Sequence, residues 1–207
     1  MLQVNEDGVP NHRAIGEVTL TKQDADTGEK LNGVVYTLSR RDRPVIGGYL
    51  LETPIEVTTG KTYTASEDAS GWHWKEEMGA EGTVKVAGLS WGEYTLAEKT
   101  ELSGYVKSDT EYRFAITREN FKQVIEADGP VTNAKNHVTF RKTDNASNPQ
   151  PLAGAVFEVH AGVSCDENCH PVSFYPSADG KETVTSVISG PDGTVTVYGL
   201  PTETAGD

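Results

Sequence analysis

The feature that most constrains this chain is an internal repeat of a strand pattern. The segment VTLTKQDADTGEKLNGVVYTL at residues 18–38 aligns with VTFRKTDNASNPQPLAGAVFEV at residues 138–159. A later pair also matches, EGTVKVAGLS at residues 81–90 and DGTVTVYGLP at residues 192–201. Self-similarity along a chain is the signature of repeat architectures. The sequence therefore predicts tandem copies of one small domain.

A third correspondence sets the expected domain limits. The segment LQVNEDGVPN at residues 2–11 mirrors KQVIEADGPVTN at residues 122–133, which aligns Asn11 with Asn133. The chain thus resembles a window cut from a tandem array. We expect three segments, namely the tail of a preceding repeat at residues 1–13, a complete domain at 14–136, and the N-terminal part of a second, truncated domain at 137–207.

Alternation of apolar and polar residues indicates an all-β fold. Segments rich in Asp, Ser, Gly and Pro separate the alternating runs and are typical of turns. The number and length of the runs predict a β-sandwich with Greek-key connections. Residues 40–80 exceed the length of a simple hairpin, so we expect an extra hairpin or a long loop there. The predicted strands are residues 17–22, 33–39, 62–66, 83–87, 93–98, 111–117 and 121–126.

The charge and composition exclude several classes of function. The chain has 31 acidic and 18 basic residues and a net charge of −13, which argues against nucleic acid or an anionic membrane as a partner. No stretch approaches the apolar length of a membrane span, so we expect no membrane insertion in this segment. The sequence has no Gly-rich phosphate loop and no Ser-His-Asp order. We therefore expect no cofactor, no metal and no conventional enzyme activity.

Two charged residues occupy positions that the alternation assigns to the core. Lys22 continues the inward face of Val18 and Leu20, and Glu98 does the same at the end of the run at residues 93–98. A charged side chain on an apolar face needs a partner. One interpretation is a buried salt bridge between Lys22 and Glu98, and the other is a covalent link.

Three segments together carry a resemblance to a known family. TKQDADTGEKLNGVVYTL, GTVKVAGLSWGEYTLAEKTELSGY and VTNAKN follow one another at residues 21–38, 82–105 and 131–136. In this order they resemble the Cna-B or SpaA-like (prealbumin-like) repeat of Gram-positive surface adhesins and pilins. The resemblance covers residues 14–136 and the front of the pattern from 138 to 201, and it implies tandem sandwiches with a reverse immunoglobulin-like fold.

The resemblance implies an internal isopeptide bond from Lys22 to Asn133, with Glu98 as the catalytic acid. Only a neutral amine attacks a carboxamide, and burial disfavours the charged forms of lysine and glutamate alike. A protonated Glu98 could polarise the carboxamide and pass a proton to the departing ammonia. The equivalents of Lys22 and Asn133 in the neighbouring repeats are Lys142 and Asn11.

The second copy lacks part of the pattern. The position that corresponds to Glu98 would fall beyond Asp207. We therefore expect Lys142 to lack both acid and acceptor, and Asn11 to remain an ordinary carboxamide. We also expect residues 138–207 to be less stable than the complete domain.

The function that the resemblance implies is mechanical. Such a domain would form a stalk or shaft segment of an adhesin or pilin, outside the cell at the surface or cell wall, with its first and last strands side by side. Other parts of the array would contact a host extracellular matrix protein or glycan. One alternative is a ligand-binding adhesin module that uses Trp72 and Trp74, and another is an accessory β-sandwich of a secreted glycosidase.

The chain has only two cysteines, Cys165 and Cys169, in the segment SCDENCHP. Their spacing fits neither a zinc ribbon nor a haem attachment site, although His170 follows directly. For an exported protein the sequence favours a small-loop disulfide over free thiols, and either of these over a metal site.

Overall fold

The computed structural model describes residues 15–42, 51–125, 130–160 and 170–202, and within these ranges it contains strands but no α-helix. The strands are β1 (Ile15–Asp24), β2 (Val35–Arg40), β3 (Ile55–Thr58), β4 (Lys61–Asp68), β5 (Gly71–Met78), β6 (Thr83–Ser90), β7 (Gly92–Thr100), β8 (Glu111–Ile116), β9 (Lys122–Val124), β10 (Val131–Asn133), β11 (His137–Arg141), β12 (Val156–Glu158), β13 (Ser186–Ile188) and β14 (Thr194–Tyr198). The predicted all-β class is confirmed.

The first ten strands form two sheets that enclose one core. One sheet has the order β10-β1-β6-β4-β5, with β9 also paired to β1, and the other has the order β3-β2-β7-β8. The chain passes between the sheets several times, as Greek-key connections require. Buried apolar side chains from both sheets, such as Leu20 and Leu96, belong to the same hydrophobic cluster. This arrangement is the predicted sandwich.

Strand β1 carries the alternation that the sequence showed. Its burial alternates along its length, and Val18, Leu20, Lys22 and Asp24 are all buried. The strand pairs antiparallel with β6 and parallel with β9 and β10. The expectation that the first and last strands of the domain lie side by side is thus confirmed.

The long span between β2 and β6 forms strands in its described part, residues 51–80. Strand β3 extends the second sheet, and β4 and β5 form an antiparallel hairpin at the edge of the first. The strand predicted at residues 62–66 falls inside β4. Of the two expectations for this span, the extra hairpin is the one observed.

The residues after β10 have a hydrophobic cluster of their own. Phe174, Val195 and Val197 are buried in it. Strands β11 and β14 form one two-stranded sheet, and β12 and β13 form another. Two separate clusters accord with two units, while the limits at residues 13, 136 and 207 stay a prediction. We call residues 15–133 the first unit and residues 137–202 the second unit.

Several large apolar side chains of the second unit are exposed. Val156 and Ile188 have exposed fractions of 64% and 62%, and Val138 has one of 50%.

No helix in the described part of the chain is long and apolar enough to span a membrane.

Candidate functional site

The three residues predicted to form the isopeptide site lie together in the core of the first unit. The exposed fractions of Lys22, Glu98 and Asn133 are 0%, 5% and 3%. Lys22 Nζ donates a hydrogen bond to Glu98 Oε2 at 3.1 Å, and Asn133 Nδ2 donates one to Glu98 Oε1 at 2.7 Å. A single carboxyl group therefore bridges the amine and the carboxamide.

Each residue reaches this point from a different strand. Lys22 lies near the end of β1, and Asn133 ends the parallel neighbour β10, where the register places Lys22 opposite Val131. Glu98 comes from β7 in the opposing sheet. Lys22 Nζ also donates to the carbonyl oxygen of Thr132 at 3.1 Å, which holds the amine beside the residue that precedes Asn133.

Burial dominates the electrostatics of the amine. The loss of hydration lowers the pKa of Lys22, and this effect outweighs the opposing attraction and hydrogen bond from Glu98. Burial disfavours the charged form of an amine, so a lowered pKa increases the fraction of neutral amine at a given pH. The neutral form is the one that can act as a nucleophile.

Tyr36 is a neighbour of the site that the sequence interpretation missed. It lies opposite Glu98 in the β2–β7 register and is fully buried. Burial first, and then the charge of Glu98, raises the pKa of its hydroxyl. Tyr112 on β8 shows a raised pKa for the same two reasons. The alternation of Val34, Tyr36 and Leu38 would have placed Tyr36 in the core, but not against Glu98.

The other predicted residues that the structure describes are not part of this cluster. Lys142 is exposed and directly follows the short strand β11. Asn11, Cys165 and Cys169 lie outside the described residues, so the disulfide and the fate of Asn11 stay predictions. Among the described residues no group of His, Cys, Asp and Glu is placed to hold a metal ion.

The two tryptophans proposed as a ligand contact lie in strand β5 of the hairpin. Trp74 packs against the main hydrophobic cluster. Trp72 is half-buried and lies opposite Glu67 in the hairpin register. This arrangement resembles a hairpin that folds one tryptophan onto the edge of the sandwich more than an exposed aromatic platform.

A family model described as the SpaA prealbumin-like fold domain matches residues 16–130. The match covers more than half of the chain, and the chain therefore belongs to this family. The family resemblance inferred from the sequence is thereby confirmed, and the match includes the motifs at residues 21–38 and 82–105. Comparison with curated proteins gives no match.

Solved structures to which the chain is similar include pilins. A streptococcal ancillary pilin is 23% identical, with 94% of this chain and 52% of that chain covered and a TM-score of 0.38. The TIE protein of Bacillus anthracis is 17% identical over 91% and 26% of the two chains, with a TM-score of 0.46. The minor pilin GBS52 of Streptococcus agalactiae is 27% identical over 60% and 46%, with a TM-score of 0.40. The chain spans about half or less of the length of these proteins.

Proposed function

We propose that the first unit is a stalk domain of a Gram-positive surface adhesin or pilin, held closed by an autocatalytic isopeptide bond between Lys22 and Asn133. The observation that carries this proposal is the buried contact of Glu98 with both groups, through Oε2 to the amine and through Oε1 to the amide nitrogen. Membership of the SpaA family supports a structural rather than an enzymatic role.

The proposed reaction uses Glu98 as a proton relay. Lys22 passes a proton to Oε2, and the neutral amine attacks the side-chain carbonyl carbon of Asn133. Glu98 passes this proton to Nδ2 of the tetrahedral intermediate and then accepts the second proton of the attacking nitrogen. The carbon–nitrogen bond breaks, and the departing ammonia takes the second proton from Glu98 and leaves as ammonium. The products are one amide bond and one ammonium ion, and Glu98 returns to its starting carboxylate.

The fold supplies the rate enhancement by position and by exclusion of water. Neighbouring strands hold Lys22 and Asn133 on the same carboxyl group of Glu98, which replaces a bimolecular encounter by an intramolecular one. The site is almost fully buried, so the electrostatic interactions within it are strong. Both reactants are consumed in one turnover. The domain modifies itself and is not an enzyme acting on other molecules.

The position of the bond suits a load-bearing role. Strands β1 and β10 are parallel neighbours, and the bond would join them near their C-terminal ends. Tension that enters at the start of β1 would cross to Asn133 and leave the domain without loading the strands between. The bond would also close a loop of about 110 residues, worth about 4–5 kcal/mol on the loop-entropy model used for disulfides.

The setting that follows is extracellular, at the cell surface or cell wall. Partners such as a host matrix protein or glycan would bind other parts of a longer assembly. The packing of Trp74 against the core gives the ligand-binding alternative little support. The glycosidase-accessory alternative would be distinguished by a hydrolase domain in flanking sequence.

Single-molecule pulling from the two ends of the first unit tests the mechanical role. With the bond formed, the residues between 22 and 133 should contribute no extension at any force that leaves covalent bonds intact. The Glu98→Gln variant should release roughly 110 residues at about 3.4 Å each, on the order of 370 Å. Equal extension in the two proteins would overturn the proposal.

A further inference from the structure

A second buried ionic cluster lies at the junction of the two units, and no sequence pattern predicted it. Lys135 Nζ donates hydrogen bonds to Asp24 Oδ2 at 2.5 Å and to the carbonyl oxygen of Ala178 at 2.9 Å. The Tyr105 hydroxyl donates to Asp24 Oδ2 at 2.9 Å. The exposed fractions of Lys135 and Asp24 are 4% and 1%. We call Asp24, Tyr105, Lys135, Tyr175 and Ala178 the junction cluster.

The members of the junction cluster come from both units. Asp24 ends β1 and Tyr105 follows β7, so both belong to the first unit. Tyr175 and Ala178 belong to the second unit, and the Lys135 ammonium lies 4.8 Å from the ring centroid of Tyr175. A cation over an aromatic face is attracted by the electron density of the ring. Lys135 thus contacts both units from the three-residue connection between β10 and β11.

Hydrogen bonds of the Asn136 side chain and backbone join the two units beside the junction cluster. The Asn136 side chain donates to the Leu200 carbonyl at 2.8 Å and accepts from the Leu200 amide at 2.7 Å. The Gly199 amide donates to the Asn136 carbonyl, and the Asn136 amide donates to the Gly104 carbonyl. A β-carbon at Gly104 would lie 3.1 Å from the Gly199 carbonyl oxygen, so the two units approach closely there.

The cluster differs chemically from the Lys22 site. The Asp24 carboxylate accepts four hydrogen bonds, from the amides of Asp26 and Thr27 on Oδ1 and from Tyr105 and Lys135 on Oδ2. Donors in this number stabilise the ionised carboxylate. The hydrogen-bond partners of the pair in the described residues include no second carboxyl group to relay a proton. Asp24 and Lys135 are therefore suited to remain an ion pair rather than to condense.

We propose that the junction cluster is a non-covalent clamp that fixes the second unit against the first. The surface formed by the Asp24 turn and the Gly104–Tyr105 loop is an interaction surface, and the partner that it fits is the next domain of the same chain. This inference does not depend on the Lys22–Asn133 bond.

The sequence pattern suggests that the same device recurs along the array. Arg13 is the second residue after Asn11, as Lys135 is the second residue after Asn133. A cationic residue therefore follows both of these equivalent asparagines. The cation of the junction cluster thus has a counterpart in the preceding copy.

Residual dipolar couplings test the clamp, because a rigid pair of domains shares one alignment tensor. We expect one tensor for both units in the intact chain. Lys135→Met and Asp24→Asn should reduce the alignment of the second unit relative to the first at least twofold. Lys181→Met is the matched control, since Lys181 and Glu29 form an exposed ion pair across the same junction at 3.8 Å. It should behave as the unmodified protein.

Amide hydrogen exchange separates loss of the clamp from loss of the fold. In Lys135→Met the amides of Gly199 and Leu200 should exchange at least tenfold faster, while the amides of β14 keep their protection. Independent tensors in the unmodified protein, or a common tensor in Lys135→Met, would overturn the proposal. Equally faster amide exchange throughout β14 would also overturn the proposal. Lys135 would then stabilise the fold of the second unit and not its contact with the first unit.

Discussion

Two buried lysines in this chain face carboxyl groups in opposite chemical settings. Glu98 is shared between Lys22 and the Asn133 carboxamide, and burial lowers the pKa of the Lys22 amine. Asp24 is saturated with hydrogen-bond donors and pairs with Lys135. The first setting favours proton transfer and nucleophilic attack, and the second favours a lasting ion pair.

Replacement of Glu98 by Gln should leave Lys22 and Asn133 unlinked in a folded domain. Glutamine keeps the shape of the side chain but cannot carry a proton between the two nitrogens. Loss of the crosslink should lower the free energy of unfolding by about 4–5 kcal/mol, measurable by chemical denaturation. The exposed Glu81→Gln is the control and should unfold as the unmodified protein does. Full crosslinking in Glu98→Gln would remove Glu98 from the mechanism.

The contribution of Asp24 to stability should depend on pH in the acid range. Burial opposes ionisation of Asp24, but hydrogen bonds from Lys135, Thr27, Asp26 and Tyr105 together lower its pKa from 3.8 to about 2. A group with a depressed pKa in the folded state adds stability above its unfolded pKa and loses it as the pH falls through the folded value. The stabilisation lost should be roughly 2–3 kcal/mol.

The measurement is the difference in unfolding free energy between the unmodified protein and Asp24→Asn. We expect this difference to be constant from pH 5 to pH 7 and to shrink between about pH 4 and pH 2. Taking the difference cancels the titration of the other carboxyl groups. A difference that does not change down to pH 2 would contradict the role of the ionised Asp24.

At the scale of the elements, strands with a strict alternation were predictable and the others were not. Alternation located β1, β2, β4, β6, β7 and β8 because each has one face towards the core, and it also located β9. Strand β10 was missed because three residues are too few to show a period. Strand β5, GWHWKEEM, was missed because as an edge strand it exposes most of its side chains.

The close approach of β4 and β6 depends on Gly88. Its φ is +91°, and a β-carbon there would lie 2.5 Å from the Ala65 β-carbon. Gly88→Ala should therefore destabilise the domain by about 2–4 kcal/mol, through backbone strain and overpacking together. Gly28→Ala is the matched control, because Gly28 has a φ of +71° with no atom within 4 Å of an added β-carbon. It should lose only about 1 kcal/mol. Equal losses in denaturation curves would contradict the packing argument.

At the scale of the whole molecule, the site formed by Lys22, Glu98 and Asn133 could be predicted from the sequence, and the junction cluster could not. Lys22, Glu98 and Asn133 were identifiable because charged residues on apolar faces are anomalous and because the family motifs order them. Lys135 lies in the segment AKNH, whose composition is typical of a linker between domains. Its burial depends on a second unit that contributes Tyr175 and Ala178, which no local pattern reveals.

The second unit should contain an unmodified Lys142. The Lys142 side chain is exposed, so it lacks the buried setting that the proposed reaction of Lys22 uses. Peptide mapping should recover Lys142 in linear peptides only. A branched peptide containing Lys142 or Asn11 within a single chain would contradict the assignment of these residues as unpaired equivalents.

The most direct test of the central claim is the intact mass of the purified, fully reduced protein beside that of Glu98→Gln. The proposed bond predicts that the unmodified protein is lighter than its sequence by one ammonia, and that fragmentation joins the Lys22 and Asn133 peptides. The Glu98→Gln variant should have its full sequence mass. An unmodified protein with the full mass of its sequence would show that Lys22, Glu98 and Asn133 form only a buried hydrogen-bonded cluster.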